Sequence, residues 1–254
     1  MRTRSFYAVQ EIVRRNAAIA LAEQSSARIV ETKPDGPVSN VDIEIQNRLI
    51  DELEGLCPGS LSVAEEMGKG TGAVPVGLSW IIDPIDGTSR YISGEPDFGV
   101  QVAAAIDGRL VGGWIVCPAL EREAAGWEGD GVRSTQITSP TETDLRAVVA
   151  SGDFDEVHRA KIRGHTGLLH RGTFSCAVDY LDAVEGRIEA LVYRRTLPWD
   201  HAAGAYLASR SGISVERWNG APYAPLSPGE GILVANPAVL KQARDLLLPP
   251  VDEP

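Results

Sequence analysis

The run Trp80-Ile81-Ile82-Asp83-Pro84-Ile85-Asp86-Gly87-Thr88 ends an apolar stretch in two carboxylates, a forced turn and a hydroxyl. Pro84 biases Asp83 away from helical φ/ψ, so the chain stays extended as it delivers that carboxylate. Asp86 follows three residues later, and both acids can face one point. Gly87 lets the backbone approach a ligand closely. A helix starting near Thr88 would turn its first unpaired N–H groups and the positive end of its dipole to the same point, which suits a phosphoryl group. The Ile85 carbonyl can add a third hard oxygen. These are parts for holding Mg²⁺ against a phosphate. Alone, the string also fits an ordinary Pro/Gly turn with solvated acids.

Two further acidic clusters weigh against the ordinary turn. Ala64-Glu65-Glu66 follows the short apolar run Leu61-Ser62-Val63, and Pro198-Trp199-Asp200-His201-Ala202-Ala203-Gly204 opens a helical run. Each sits at an element end that an α/β sandwich would bring together. Mg²⁺ takes near-octahedral oxygen coordination at roughly 2.0–2.1 Å, and paired sites hold their ions about 3.5–4 Å apart. Carboxylates drawn from three segments suit such a centre.

With these segments the chain resembles the inositol monophosphatase family of Mg²⁺-dependent, lithium-sensitive phosphatases, from about residue 5 to residue 245. The family's Trp-x-x-Asp-Pro-x-Asp-Gly-Thr string stands at Trp80 to Thr88 and its Trp-Asp-x-Ala-Ala-Gly string at Trp199 to Gly204. Its Gly-Glu-Glu turn appears as Ala64-Glu65-Glu66, and its Val-Thr-x-x-Asp segment as Val38-Ser39-Asn40-Val41-Asp42. The resemblance implies a metal shell of Glu65, Asp83, the Ile85 carbonyl, Asp86 and Asp200 for two or three Mg²⁺ ions. It implies that Thr88 with Glu65 activates the nucleophilic water, that Asp42 helps orient it, and that the Gly87 and Thr88 amides hold the phosphate. The expected fold is a layered α-β-α-β-α sandwich, α/β in class (α+β), and the expected assembly a homodimer.

The resemblance places substrate contacts on Ser175, Cys176, Tyr193 and Arg194. Here the chain departs from inositol-specific relatives: Phe174 stands where their turn has glycine, and Tyr193, followed by Arg194 and Arg195, where they use a glutamate on inositol hydroxyls. A carboxylate accepts two polyol hydrogen bonds, whereas tyrosine offers a ring face and one hydroxyl. The arginines suit a carboxylate or second phosphate, or stand solvated at a strand end. Ser89-Arg90-Tyr91-Ile92-Ser93-Gly94 is similar to the histidinol-phosphate phosphatase branch, the leading alternative to an inositol or sugar monophosphate. The Lys-Glu-Phe of bisphosphate nucleotidases is missing. Lys33 can reach the phosphate or a metal-linked carboxylate. A catalytically inactive metal-binding scaffold is the alternative from another class, although such a chain would have little reason to keep like-charge clusters together.

Composition agrees. A chain of 254 residues with 43% hydrophobic content can bury a large core. A net charge of −11 disfavours nucleic-acid or anionic-membrane binding through a general basic field, and the phosphate ester that the resemblance implies needs local positive charge, which bound Mg²⁺ would supply. Cys57, Cys117 and Cys176 lack Cys-x-x-Cys spacing and read as reduced. No apolar run reaches the ~18–20 residues of a membrane span, no signal-peptide pattern opens the chain, and a cytoplasmic location is the default. His158, His165 and His170 lack the helical spacing of a zinc site and read as surface residues. Gly68 to Gly72 lacks P-loop spacing and reads as a mobile linker.

The elements that must position the acids follow from periodicity. The spacing predicts helices over Phe6 to Ile29 and from Asp42 to Leu53, the latter capped at Ser39-Asn40. It predicts strands over Leu78 to Ile82, Phe98 to Ile106, Leu110 to Val116 and Glu123 to Trp127 as an antiparallel meander with Asp107-Gly108 as a hairpin turn. Beyond these come strand Ala147 to Ala150, a short helix near Asp155 to Ile162, helix Ser175 to Ala183, strand Ile188 to Tyr193 and helix Trp199 to Ser209. Strands Gly212 to Glu216 and Gly231 to Val234 and helix Pro237 to Leu247 complete the series. A half spanning 1–140, with most metal ligands, and a half spanning 141–254, with Asp200 and the substrate contacts, are expected to form one unit.

Overall fold

Phe6, Val9, Val13, Ala17 and Ala20 recur every three or four residues and are buried, the stripe that makes Thr3–Glu23 helix α1. In this computed structural model residues 3–34, 36–67, 75–135, 145–150, 160, 164, 169–171, 174–226 and 231–248 are described. The expected helix to Ile29 stops at Glu23. A 3-10 turn, Gln24–Ser26, follows, and the Gln24 amide donates to the carbonyls of Tyr91 at 3.1 Å and Glu95 at 2.9 Å. That bond anchors the chain end of α1 and sends Ile29 and Val30, both exposed, into an antiparallel hairpin of β1 (Ile29–Lys33) and β2 (Gly36–Ser39).

Helix α2 (Asn40–Leu56) starts from a capping box. The Ser39 hydroxyl accepts from the Val41 and Asp42 amides, while the Asp42 carboxylate accepts from the Ser39 amide at 3.0 Å. Strand β3 (Leu61–Ala64) runs parallel to β4 (Leu78–Asp86), and β4 continues antiparallel into β5 (Gly99–Ile106), β6 (Arg109–Cys117), β7 (Arg122–Trp127) and β8 (Arg133–Ser134), giving a six-stranded sheet. Helix α3 (Thr88–Ile92) follows β4 directly. The meander matches the sequence expectation because its side chains alternate: Trp80, Ile82, Val100, Val102 and Ala104 face α1 and α2, while Ile81, Ala103 and Ala105 face the opposite core.

The second sheet is ordered β10 (Leu169–Arg171), β9 (Val148–Ala150), β11 (Ala190–Tyr193), β13 (Ile232–Ala235) and β12 (Ser214–Arg217), with the first three parallel and the last two antiparallel. Helices α4 (Cys176–Val184) and α5 (Pro198–Arg210) lie between the two sheets and share one core with both. Helix α6 (Leu240–Leu247) covers the far face through Ala243, Leu246 and Leu247. The layers therefore run α1/α2, six strands, α4/α5, five strands, α6, the sandwich expected. Most of the short helix expected near residue 160, the Gly68 to Gly72 loop, His158 and His165 lie outside the described residues, and His170 falls in β10.

Two glycines let α5 sit so deep. A Cβ on Gly204 would meet the Tyr180 ring at 2.0 Å, and one on Gly113 of β6 would meet the Ala203 carbonyl oxygen at 2.7 Å. Contact at backbone distance brings the first turn of α5, and Asp200 with it, against the sheet end where β4 stops.

Candidate active site

Pairing in the first sheet carries the acids to one place. Ala64 stands beside Ile82 in the parallel β3–β4 register, so the next residue of each strand, Glu65 and Asp83, emerge together. The ladder of β4 and β5 is interrupted between Asp83 and Asp86, where Pro84 withholds an amide, and resumes with Asp86 opposite Gly99. Gly87 takes φ +87°, and a Cβ there would meet the Asp97 carbonyl oxygen at 2.9 Å, so only glycine makes this turn into α3 without displacement.

Asp83, Asp86 and Asp200 each offer a carboxylate oxygen within 4.8 Å of the others. Asp83 and Asp86 are buried, and Asp83 Oδ1 has no hydrogen-bond partner among the described residues. Burial, and then the Asp200 and Glu66 charges, hold Glu65 well above the usual carboxylate range. Asp83 moves the same way through burial followed by the charges of Glu65, Asp86 and Asp200. Burial pushes Asp86 up to about 6, opposed by its hydrogen bonds from the Ala177 amide and the Ser175 hydroxyl. Hard oxygens crowded in this way, one of them unsatisfied, fit a divalent cation: such an ion removes the repulsion and completes the bonding that the protein leaves open.

Asp42 and Thr88 form the neighbouring unit. The Thr88 hydroxyl lies 3.0 Å from Asp42 Oδ1 and 2.9 Å from the Ile85 carbonyl, and it can donate to either. Burial raises Asp42 to about 6 against the lowering effect of its bonds from Ser39 and Thr88. Thr88 is expected to activate water together with Glu65; its hydroxyl is bonded to Asp42, whose carboxylate the capping box holds beside α3. The Ile85 carbonyl, expected as a metal oxygen, is also within reach of Thr88.

Lys33 pairs with Glu66, the second acid of the turn, and not with Glu65 or Asp83. Burial lowers the Lys33 ammonium's pKa, but the bond to Glu66 and the surrounding acids outweigh it and the net direction is up. The Glu66 amide is held by Gln46 Oε1 at 2.8 Å, a contact from α2 that fixes the acidic turn. Gln46 and Gln101, whose amide reaches the Asp200 carbonyl at 3.4 Å, were not found from sequence. No motif signals either; the register opposite Asp83 is what places Gln101.

The residues expected to touch substrate are arranged differently from one another. Ser175 is buried, caps α4 and donates to Asp86 at 2.7 Å, so its hydroxyl is engaged with one of the converging acids. Tyr193 donates its hydroxyl to Asp179 at 2.5 Å inside a cluster with Tyr180 and His201. Arg194 and Arg195 are exposed. Cys176, Asp200 and His201 also converge within 4.8 Å, but burial pushes the Cys176 thiol far up and holds the His201 imidazole down to about 4. Both His201 nitrogens are already engaged, Nδ1 with the Tyr180 hydroxyl at 3.3 Å and Nε2 with the Arg195 carbonyl at 3.1 Å. That trio lacks the free imidazole nitrogen and thiolate a soft-metal site needs.

Comparison with known proteins gives a consistent answer. Residues 3–252 match the profile described as the inositol monophosphatase family. An inositol-1-monophosphatase of Bacillus subtilis is 28% identical over 225 residues, covering 84% of each chain. A solved inositol monophosphatase structure from Thermotoga maritima superposes with a TM-score of 0.82 at 22% identity, over 97% of each chain. A second solved structure, an inositol monophosphatase/NADP phosphatase complexed with Mg²⁺ and phosphate, superposes with a TM-score of 0.82 at 20% identity, covering 92% of this chain and 91% of that one.

Proposed function

The chain belongs to the inositol monophosphatase family and is a phosphatase, and from that premise we propose that it hydrolyses a small phosphate monoester with Mg²⁺ held by Glu65, Asp83, Asp86, Asp200 and the Ile85 carbonyl. The observation that carries the metal assignment is the convergence of Asp83, Asp86 and Asp200 oxygens within 4.8 Å, with Asp83 Oδ1 buried and unpartnered among the described residues. When bound, Mg²⁺ supplies Lewis-acid stabilisation of phosphoryl charge and makes water acidic enough to attack at neutral pH.

The chain's own residues then have defined tasks. Thr88, donating to Asp42, keeps its lone pairs available to accept from the attacking water and so aims it at phosphorus. Asp42, near 6, is ionised at neutral pH yet basic enough to take the proton relayed through Thr88. This route ends at Asp42 and leaves Glu65 free to hold metal. The amides of Gly87 and Thr88, at the start of α3 where no intrahelical partner exists, receive the phosphate oxygens. Ser175 and the Ala177 amide hold Asp86 in place.

Inositol 1-phosphate is not favoured as the physiological ester. The Tyr193 hydroxyl that would meet a polyol is taken by Asp179, and Phe174 occupies the turn beside Gly87. Phosphate release from inositol 1-phosphate, histidinol phosphate, fructose 1,6-bisphosphate and adenosine 3′,5′-bisphosphate, with and without Mg²⁺ and with added lithium, tests the proposal. Mg²⁺-dependent, lithium-sensitive release from one of them is expected. Mg²⁺ binding without release from any would favour a metal-binding scaffold.

A further inference from the structure

Phe174 combines three properties at the rim of the site. Its φ is +64°, a left-handed conformation that a bulky residue adopts at a steric cost and that glycine adopts freely. Its side chain is a large apolar surface left 61% exposed. Its backbone abuts the phosphate turn: a Cβ on Gly87 would meet the Phe174 carbonyl oxygen at 3.3 Å and Ser175 Cβ at 3.1 Å. The next residues along, Ser175 and Ala177, bond to Asp86, so the position of Phe174 is tied to the metal-facing acids and not to a free loop end.

Arg90 supplies a second surface. Its guanidinium lies 4.9 Å from the Phe174 ring centroid, and its charge is answered by Glu95. Arg90 itself is fixed by α3, with its amide bonded to the Gly87 carbonyl at 2.9 Å. The phosphate turn, the guanidinium and the ring are therefore in contact through residues 87–95 and 174–177. One face of the ring is covered by Arg90. Strain and exposure of an aromatic side chain, both avoidable with glycine, concentrate beside the Gly87 turn.

Resting on the phosphatase reading above, we infer that Phe174, backed by Arg90, is a stacking platform that selects phosphate esters whose alcohol carries a planar aromatic ring, an imidazole or a nucleobase. A ring presents a π-face that packs on Phe174 whatever its hydrogen-bonding edge, whereas a polyol's hydroxyls gain no hydrogen bond from the Phe174 ring. Because Glu95 neutralises Arg90, the platform accepts a neutral or a cationic ring.

The test compares kcat and KM for histidinol phosphate, adenosine 2′-monophosphate and the ring-free glycerol 2-phosphate in wild type, Phe174→Gly and Phe174→Trp, all with saturating Mg²⁺. Wild type should prefer at least one ring ester over glycerol 2-phosphate, and which of the two identifies the ring. Phe174→Gly should reduce that preference by about tenfold, mainly through KM, and Phe174→Trp should retain it. Since glycine relieves the backbone strain, loss of folding is not expected, and the melting temperature checks this. An unchanged preference in Phe174→Gly, with all esters hydrolysed, would overturn the platform alone. No Mg²⁺-dependent release from any ester by wild type would overturn the phosphatase reading and the platform with it.

Discussion

Two groups of buried and half-buried acids sit at opposite ends of α4, and they are answered in opposite ways. At the end of α4, Asp182 and the nearly fully buried Glu185 meet Arg122 at 2.6 and 2.7 Å, with Arg187 at 3.0 Å and Ser134 at 3.1 Å completing the bonding of Glu185. At its start, Glu65, Asp83, Asp86 and Asp200 face one another, and among the described residues neither Asp83 nor Asp86 meets an arginine or lysine. Lys33, the nearby cation, is spent on Glu66. The first group is an ion-paired network whose acids are matched by arginines of the chain itself. The second leaves negative charge for a cation from outside, and that asymmetry separates a binding site from a piece of architecture.

The two groups should break differently. Asp86→Asn should lower turnover by on the order of 10²–10³-fold, as loss of an electrostatic stabiliser of the transition state does. The metal-free variant should melt no lower than wild type, because a repelling charge has been removed. Arg122→Ala should do the reverse, costing about 3–5 kcal/mol of stability in urea unfolding by stranding two acids, while folded protein keeps its turnover. If Asp86→Asn unfolded the protein and Arg122→Ala abolished chemistry, the distinction would fail.

A metal and pH experiment sharpens the contrast. The folded-state pKa values of Glu65 and Asp83 lie above their unfolded values. The stability they contribute is therefore fully present at low pH and lost as pH rises through the folded values. Asp86, whose folded value is raised to about 6, acts in the same direction, and metal-free protein should melt lower at pH 7 than at pH 5. Mg²⁺ at about a hundred times its Kd should restore roughly 5–10 °C of Tm, and more at pH 7 than at pH 5. The smallest effect concerns the cap: Ser39→Ala should cost about 1 kcal/mol of stability. It should also slow turnover, because Asp42 keeps the bond from the residue-39 amide but loses the one from the Ser39 hydroxyl that helps aim it at Thr88.

What could be read from the chain divides along sequence distance. Asp83, Asp86, Gly87 and Thr88 lie within six residues, and Trp199 to Gly204 within another six, so local spacing exposed both clusters. The meander was legible because its strands alternate between two buried faces. The β1–β2 hairpin was not: Ala27 and Ile29 continue the helical spacing of α1, and β1 is largely exposed, so no buried alternation marks it. Partner choice was equally hidden. Asp42 and Thr88 are 46 residues apart, and Ser175 and Asp86 are 89 apart. Only the folded register decides that Thr88 bonds to Asp42 and that Ser175 bonds to Asp86.

Calorimetric titration of Mg²⁺ into wild type and Asp83→Asn, with phosphate release measured on the same samples, tests the central claim most directly. The account predicts Mg²⁺ binding and hydrolysis by wild type and loss of both in the variant, with its fold retained. An Asp83→Asn protein that bound Mg²⁺ as tightly as wild type and hydrolysed the same ester at the same rate would contradict it.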